Sequence, residues 1–225
     1  MTEIRTETVP LVDGSALRLT VAEPVGAVRG GVVVLHEARG VTDTVRGLVS
    51  GLAADGWVAV APHLYHRDGA DELDGDDGAV REQVERLSGD QVMADTDTAF
   101  GWLADREITA DRMGVLGFDI GGSVALLVAA KRTLGAAVTV GGDGAGSLPG
   151  LVDAAPGLTC PWLGIYGERA ADDAEIEELR GAAARSEQAT DLVTYPATGY
   201  RFDADPDAAA DAWQRTLNWF DSHLR

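Results

Sequence analysis

The segment MGVLGFDIGGSVALLVAA, residues 113–130, contains the change of hydrophobic pattern that decides the fold. It begins with the apolar run MGVLGF, which does not alternate between apolar and polar residues and is typical of a strand buried on both faces. An apolar stretch of helical character follows. The segment therefore predicts a buried strand that ends at Phe118, a sharp turn, and a helix that has begun by Gly121.

Asp119 is the central residue of this predicted turn, with Gly117 two positions before it and Gly121 two positions after it. A sharp strand-to-helix turn holds its central residue in a strained backbone conformation, and side chains two positions away would collide. The spacing indicates a nucleophile elbow, which presents the central side chain at the mouth of the sheet. The following N–H groups, beginning with that of Ile120, can hold an anion. The alternative is an ordinary turn whose glycines serve packing.

Further apolar runs of the same kind occur on both sides of this segment, with helix-like stretches between them. Such runs belong to parallel strands, and their alternation with helices indicates βαβ units. We therefore predict an α/β fold with a mostly parallel central sheet and helices on both faces. The predicted strands are GVVVLH, WVAVAP, MGVLGF, AAVTVG, WLGIYG and DLVTYP, and the predicted helices cover residues 42–55, 90–105, 121–132, 172–186 and 207–223.

The organisation of the chain indicates a single domain over residues 1–225. It begins with a predicted hairpin, in which ETVPLV and ALRLTVA flank the turn-forming pair Asp13-Gly14. No linker or internal repeat follows. One acidic, glycine-rich stretch, residues 67–90, interrupts the pattern. It is either a solvated loop or a lid over the carboxyl ends of the strands, where ligands bind in open α/β sheets.

The composition excludes several classes of protein. Of the 225 residues, 45% are hydrophobic and 24% are charged, which argues against a disordered chain, a fibrous protein and a coiled coil. Lys and Arg total 18 against 37 Asp and Glu, for a net charge of -19. A chain this acidic repels nucleic acid and anionic membranes. Lys131 is the sole lysine, a bias that a GC-rich genome or a high-salt habitat would each produce.

The cellular location of the protein is predicted from features that the sequence lacks. Cys160 is the one cysteine, so no disulfide can form within the chain. The first residues, MTEIRTETVP, have no apolar core of a signal peptide, and no apolar run approaches the length of a membrane span. We expect a soluble, cytoplasmic protein that is a monomer or a homodimer.

From about residue 30 to its C-terminus, the chain resembles the dienelactone hydrolase family of α/β-hydrolases. The resemblance implies the α/β-hydrolase fold and a nucleophile, an acid and a histidine in that chain order. The segments that carry it are VVVLHEARGV, GWVAVAPHLYHR, VREQV, GVLGFDIGGSVALLVAAK, WLGIYGE and YPATGYRF.

All three catalytic positions implied by this resemblance are substituted. Asp119 stands where the family has Cys or Ser, Ala170 stands at the acid position, and Tyr200 replaces the histidine. Loss of a nucleophile or base reduces turnover by about 10^6. The three substitutions predict a degenerate catalytic triad, and therefore a pseudoenzyme.

The remaining predicted site residues surround the elbow by resemblance or by their position at strand ends. Glu37 stands where the family has a glutamate, and the family uses an arginine at the Arg81 position to hold a substrate carboxylate. His36 and His63 follow strands and are either ligand contacts or ordinary loop histidines. Ala38 completes the predicted ligand-binding set. No metal or cofactor is predicted, because no metal-binding motif is present.

Three functions remain open at this point. The first is a binding protein for a small carboxylate or lactone without the standard hydrolytic activity. The second is an enzyme with altered chemistry of the hydrolase, isomerase or cyclase type. In it Asp119 acts as a nucleophile, or shares a proton with Glu37 while Tyr200 donates. The third is an ordinary hydrolase with a substituted nucleophile.

Overall fold

The computed structural model describes residues 3–141, 148–167, 173–195 and 205–224. The chain divides into two compact units, Met1–Met113 and Gly114–Arg225. Both units combine strands with α-helices, and four of the six strand pairs within them are parallel. The predicted α/β class is therefore confirmed, whereas the prediction that the chain is one domain stays a prediction.

The first unit contains a four-stranded mixed sheet in the order β1-β2-β4-β3. The β1 and β2 strands form the predicted antiparallel hairpin, β2 pairs antiparallel with β4, and β3 pairs parallel with β4. The elements are β1 Ile4–Pro10, β2 Ala16–Ala22, β3 Gly30–Leu35, α1 Asp43–Ala54, β4 Trp57–Pro62, a 3-10 helix His66–Asp68, α2 Asp77–Glu85, α3 Gly89–Ala104 and a 3-10 helix Ala110–Arg112.

Burial explains why these strands lack alternation. Every residue of β3 and of β4 is buried, because α1 and α3 pack against them. The α1 helix contributes Val45, Val49 and Leu52 to this core. It ends before Gly56, whose φ of 95° lets the chain reverse directly into β4.

The second unit contains an all-parallel four-stranded sheet in the order β5-β6-β7-β8. Helices follow each of its strands, and Lys131 lies exposed in the turn after α4. The elements are β5 Met113–Phe118, α4 Ile120–Ala129, β6 Ala136–Val140, α5 Leu148–Ala154, a 3-10 helix Ala155–Gly157, β7 Trp162–Gly167, α6 Asp173–Ala183, β8 Thr190–Tyr195 and α7 Pro206–His223.

Two helices in the described residues were not predicted from the sequence. The α2 helix lies inside the acidic stretch 67–90, where the Asp76 side chain caps it by accepting from the Ala79 N–H. The α5 helix has only seven residues, LPGLVDA, which is too short to show a helical repeat. In the part of the chain that the structure describes, no helix is long and apolar enough to span a membrane.

Candidate functional site

Asp119 occupies a strained turn between β5 and α4. Its φ of 52° and ψ of −116° lie in a region that residues with a side chain rarely adopt. The backbone holds it there from both sides: its N–H donates to the Val140 carbonyl at 2.9 Å, and its carbonyl accepts from the Ser123 N–H at 3.1 Å. The predicted elbow geometry is confirmed at this residue.

The glycines of the turn are required by close backbone approach. A Cβ atom on Gly117 would lie 2.0 Å from the Gly121 carbonyl oxygen. A Cβ atom on Gly122 would lie 3.0 Å from the Val140 carbonyl oxygen. The helix can therefore begin immediately after Asp119 only because these positions lack side chains.

We expect Asp119→Gly to be more stable than Asp119→Ala by about 1 kcal/mol, because glycine adopts the positive φ without strain while both variants lose the carboxylate. Urea unfolding of the two variants measures the difference. If Asp119→Ala proves at least as stable as Asp119→Gly, the turn is not strained at this position.

The sequence predicts anion-binding N–H groups at the start of α4, and this role stays a prediction. Ile120 is the first residue of this helix and is half-buried. The N–H groups of a helix's first turn have no partner within the helix, and the helix dipole favours negative charge there. The other two predicted triad positions, Ala170 and Tyr200, lie outside the described residues, so their roles stay predictions.

His36 is held by the backbone on both sides of its ring. Its Nδ1 lies 2.7 Å from the Glu37 carbonyl oxygen, and its Nε2 accepts from the Leu64 N–H at 3.2 Å. The ring is fully buried, and this burial lowers the pKa of His36 to about 4. The imidazole is therefore neutral at pH 7, with its proton on Nδ1 and no ring nitrogen left for a ligand.

His63 is also committed on both ring nitrogens. Its Nδ1 lies 2.5 Å from an Asp71 carboxylate oxygen, and its Nε2 lies 2.8 Å from the Thr20 hydroxyl. Desolvation lowers the pKa of His63, and the positive charges of Arg18 and Arg46 lower it further, although the Asp71 carboxylate opposes this shift. These contacts favour a structural role over ligand contact.

The other two histidines are engaged as well. The Nε2 atom of His66 lies 3.1 Å from a carboxylate oxygen of the buried Asp95, which Arg67 also binds through both of its terminal nitrogens. His223 packs on Trp219, with 4.4 Å between ring centroids.

Glu37 and Ala38 lie half-buried in the segment that follows β3. The Ala38 carbonyl accepts from the hydroxyl of Tyr65 at 2.7 Å, and the Tyr65 ring packs at 5.3 Å from that of His36. These contacts hold the consecutive residues His36, Glu37 and Ala38 in place after β3. Whether they contact a ligand stays a prediction.

Arg81 lies exposed on α2. On a helix, the alternative role for Arg81 is an ion pair with Glu85, four residues later. No ion pair of Arg81 occurs among the described residues, and Arg86 instead pairs with Glu82 at 3.8 Å. Whether Arg81 contacts a ligand stays a prediction. No group of three or more potential metal ligands occurs in the described ranges.

The buried parallel strand, the strained elbow and the apolar helix that follows it are the features of an α/β-hydrolase. The sequence model described as "Dienelactone hydrolase family" matches residues 17–224. The chain belongs to this family.

Similar proteins agree with this assignment. A protein of Yersinia pestis named "Putative carboxymethylenebutenolidase" is 32% identical over 207 residues, which cover 85% of this chain and 78% of that protein. The carboxymethylenebutenolidase of Rhodococcus opacus is 30% identical, covering 86% of this chain and 81% of that protein. The crystal structure titled "Putative Dienelactone Hydrolase" from Klebsiella pneumoniae superimposes with a TM-score of 0.86 at 30% identity, over 99% of this chain and 100% of that one. The predicted α/β-hydrolase fold is confirmed.

Three residues that lie close to His63 were not predicted from the sequence: Thr20, Asp71 and Arg18. The first two bind its ring, and Arg18 pairs with Asp71 at 2.6 Å. No local pattern could reveal this group, because Thr20 and His63 are separated by 43 residues.

Proposed function

We propose that this chain is a binding protein for a small carboxylate or lactone, built on the dienelactone hydrolase scaffold and without the standard hydrolytic activity. The observation that carries the proposal is the carboxylate of Asp119 at the centre of an intact, strained elbow. The family's thiol or hydroxyl nucleophile would stand at this position. The elbow is therefore retained, while a carboxylate oxygen stands in place of the thiol sulfur or hydroxyl oxygen.

The hydrogen bonds of the histidine rings support the proposal that standard hydrolysis is lost. That mechanism needs an imidazole nitrogen to take the nucleophile's proton and later to activate water. Tyr200 stands at the family's histidine position. His36 and His63 have both ring nitrogens in hydrogen bonds within the protein. Neither can replace the missing base without breaking buried hydrogen bonds.

Two separate features support binding of a carboxylate or lactone. The N–H groups at the start of α4, beginning at Ile120, suit a carbonyl or carboxylate oxygen. The Arg81 guanidinium, exposed and without an ion pair in the described residues, suits a ligand carboxylate. The name carboxymethylenebutenolidase, which several relatives carry, suggests a lactone with a carboxylate side group as the first ligand to test.

We expect calorimetry to show that the wild type binds 4-carboxymethylenebut-2-en-4-olide. Chromatography of the same mixture should show that the lactone is not hydrolysed. Arg81→Ala should weaken binding by about 10- to 150-fold, because a charge-assisted hydrogen bond of about 1.5–3 kcal/mol is lost. Arg86→Ala, which removes the same charge just after the same helix, is the matched control. Equal losses in both variants would contradict a direct contact with Arg81, and rapid lactone hydrolysis by the wild type would contradict the proposed function.

The strain at Asp119 favours a second candidate function. A positive φ at a residue with a side chain destabilises the fold, and such residues cluster where function requires them. Asp119 would then act as a carboxylate nucleophile or as an acid or base. Intact-mass spectrometry after incubation with an epoxide or haloalkane would detect an ester on Asp119, and the Asp119→Ala variant should form none.

A further inference from the structure

A short acidic strap, residues 69–75, pairs with the segment that carries Glu37 and Ala38. The Val41 N–H donates to the Asp71 carbonyl at 2.9 Å, and the Leu73 N–H donates to the Arg39 carbonyl at 2.9 Å. Gly40 forms an antiparallel bridge with Glu72 between these two bonds. The strap is therefore hydrogen-bonded to the end of the predicted ligand segment.

This pairing requires Asp71 to approach the Gly40 backbone closely. Gly40 has a φ of 89°, and a Cβ atom on it would lie 2.3 Å from the Asp71 carbonyl oxygen. A glycine at this position lets the two backbones meet. The positions of Asp71 and of residues 40 and 41 are therefore coupled.

The side chain of Asp71 is anchored in the core of the first unit. Its Oδ1 atom lies 2.5 Å from His63 Nδ1 and 2.6 Å from an Arg18 nitrogen. His63 in turn bonds the hydroxyl of Thr20, which lies on β2 and is only 1% exposed. Arg18 also donates to the Ala70 carbonyl at 3.2 Å. The chain of contacts runs from the sheet to the strap.

Proton placement follows from the chemistry of the partners. An ionised carboxylate only accepts, so His63 donates from Nδ1 to Asp71, and its Nε2 accepts from the Thr20 hydroxyl. A hydroxyl, an imidazole and a carboxylate are hydrogen-bonded here in the same order as in a catalytic triad. Because Thr20 lies on β2 and is only 1% exposed, a substrate cannot reach its hydroxyl. The three groups therefore hold the strap in position and do not form a catalytic site.

We propose that Asp71 is a positioning residue, which fixes the segment Glu37–Val41 to the core through His63 and Arg18. A second side-chain contact of the strap, Arg46 with Glu72, joins two part-exposed side chains, as Arg18 with Asp71 does, whereas the contact of Asp71 with His63 reaches a ring that is only 3% exposed. Tyr65 and Leu64 hold Ala38 and His36, closer to β3. Asp71 alone among these residues joins the far end of the segment to a buried ring. The effect on ligand binding rests on the proposed function above.

Amide hydrogen exchange, followed by NMR, tests the positioning role without a ligand. In Asp71→Ala we expect the Val41 and Leu73 amides to exchange about tenfold faster or more. The Val33 amide, in the buried β3, should change less than twofold. Asp71→Asn keeps an oxygen that accepts from His63 and should restore most of the protection. Asp74→Ala, which removes an equal charge from the same exposed strap, is the control.

Two exchange results would overturn the proposal. One is unchanged exchange at Val41 in Asp71→Ala, and the other is an equal increase at Val41 and Val33, which would indicate general destabilisation.

A binding experiment uses 4-carboxymethylenebut-2-en-4-olide. We expect its dissociation constant to rise about fivefold or more in Asp71→Ala and to stay unchanged in Asp74→Ala. If the wild type does not bind this lactone, the proposed function fails, while hydrogen exchange still decides the role of Asp71.

Discussion

Replacing Gly117 with alanine is expected to lower the free energy of unfolding by about 4 kcal/mol or more, or to prevent folding. The added Cβ atom would lie 2.0 Å from the Gly121 carbonyl oxygen, 2.4 Å from the Gly121 carbonyl carbon and 2.8 Å from the Gly122 nitrogen. All three are backbone atoms, which cannot move aside as a flexible side chain can. Urea unfolding monitored by circular dichroism measures the loss.

Gly101→Ala provides the matched control for this substitution. Gly101 lies within α3, and a Cβ atom there would meet nothing within 4 Å. We expect this variant to gain about 0.5–1 kcal/mol, because alanine loses less backbone freedom than glycine when a helix forms. Similar stabilities of the two alanine variants would show that the turn tolerates a side chain.

The second large effect follows from the proposed function and concerns the rate of lactone hydrolysis. We expect the triple variant Asp119→Cys, Ala170→Asp, Tyr200→His to hydrolyse 4-carboxymethylenebut-2-en-4-olide at least about 10^3-fold faster than the wild type, since the loss of a nucleophile or base reduces turnover by about 10^6. The thiolate would attack the lactone carbonyl and open the ring to a thioester. Water activated by the histidine would then release the acid and regenerate the thiol. Spectrophotometric loss of the conjugated lactone measures the rate.

The single variant Asp119→Cys is the control for this experiment. It restores the nucleophile without a base, so we expect at most one slow acylation and little turnover. A triple variant no faster than Asp119→Cys would mean that the scaffold no longer brings the three family positions together. A wild type already as fast as the triple variant would show that Asp119 supports hydrolysis by itself.

The elbow was predictable because its requirements are local. Gly117 and Asp119 lie within one short segment, and the backbone collision that excludes a side chain depends only on the sharpness of the turn. The buried strands were predictable for a similar reason. For example, WVAVAP coincides with β4 because both of its faces are covered.

The surroundings of the candidate site were less predictable because they depend on contacts between distant residues. The sequence placed His63 at a strand end but could not show that Thr20 and Asp71 occupy both of its nitrogens. The sequence leaves the stretch 67–90 open as a loop or a lid, because its acidic composition hides α2 and the strap. The α2 helix begins at a local cap, in which the Asp76 side chain accepts from the Ala79 N–H, whereas the strap is held by the distant partners of Asp71, which are tertiary contacts.

The exposed Lys131 has a practical consequence for studying this protein. It carries the sole side-chain amine of the chain and lies just beyond the end of α4, whereas Asp119 immediately precedes the start of that helix. At 1.5 Å per residue, the two are separated by about 18 Å. Amine-reactive dyes or surfaces can therefore attach at only two groups, the Lys131 amine and the chain's α-amino group. A fluorophore or a surface attached at Lys131 would therefore lie about a helix length from the elbow.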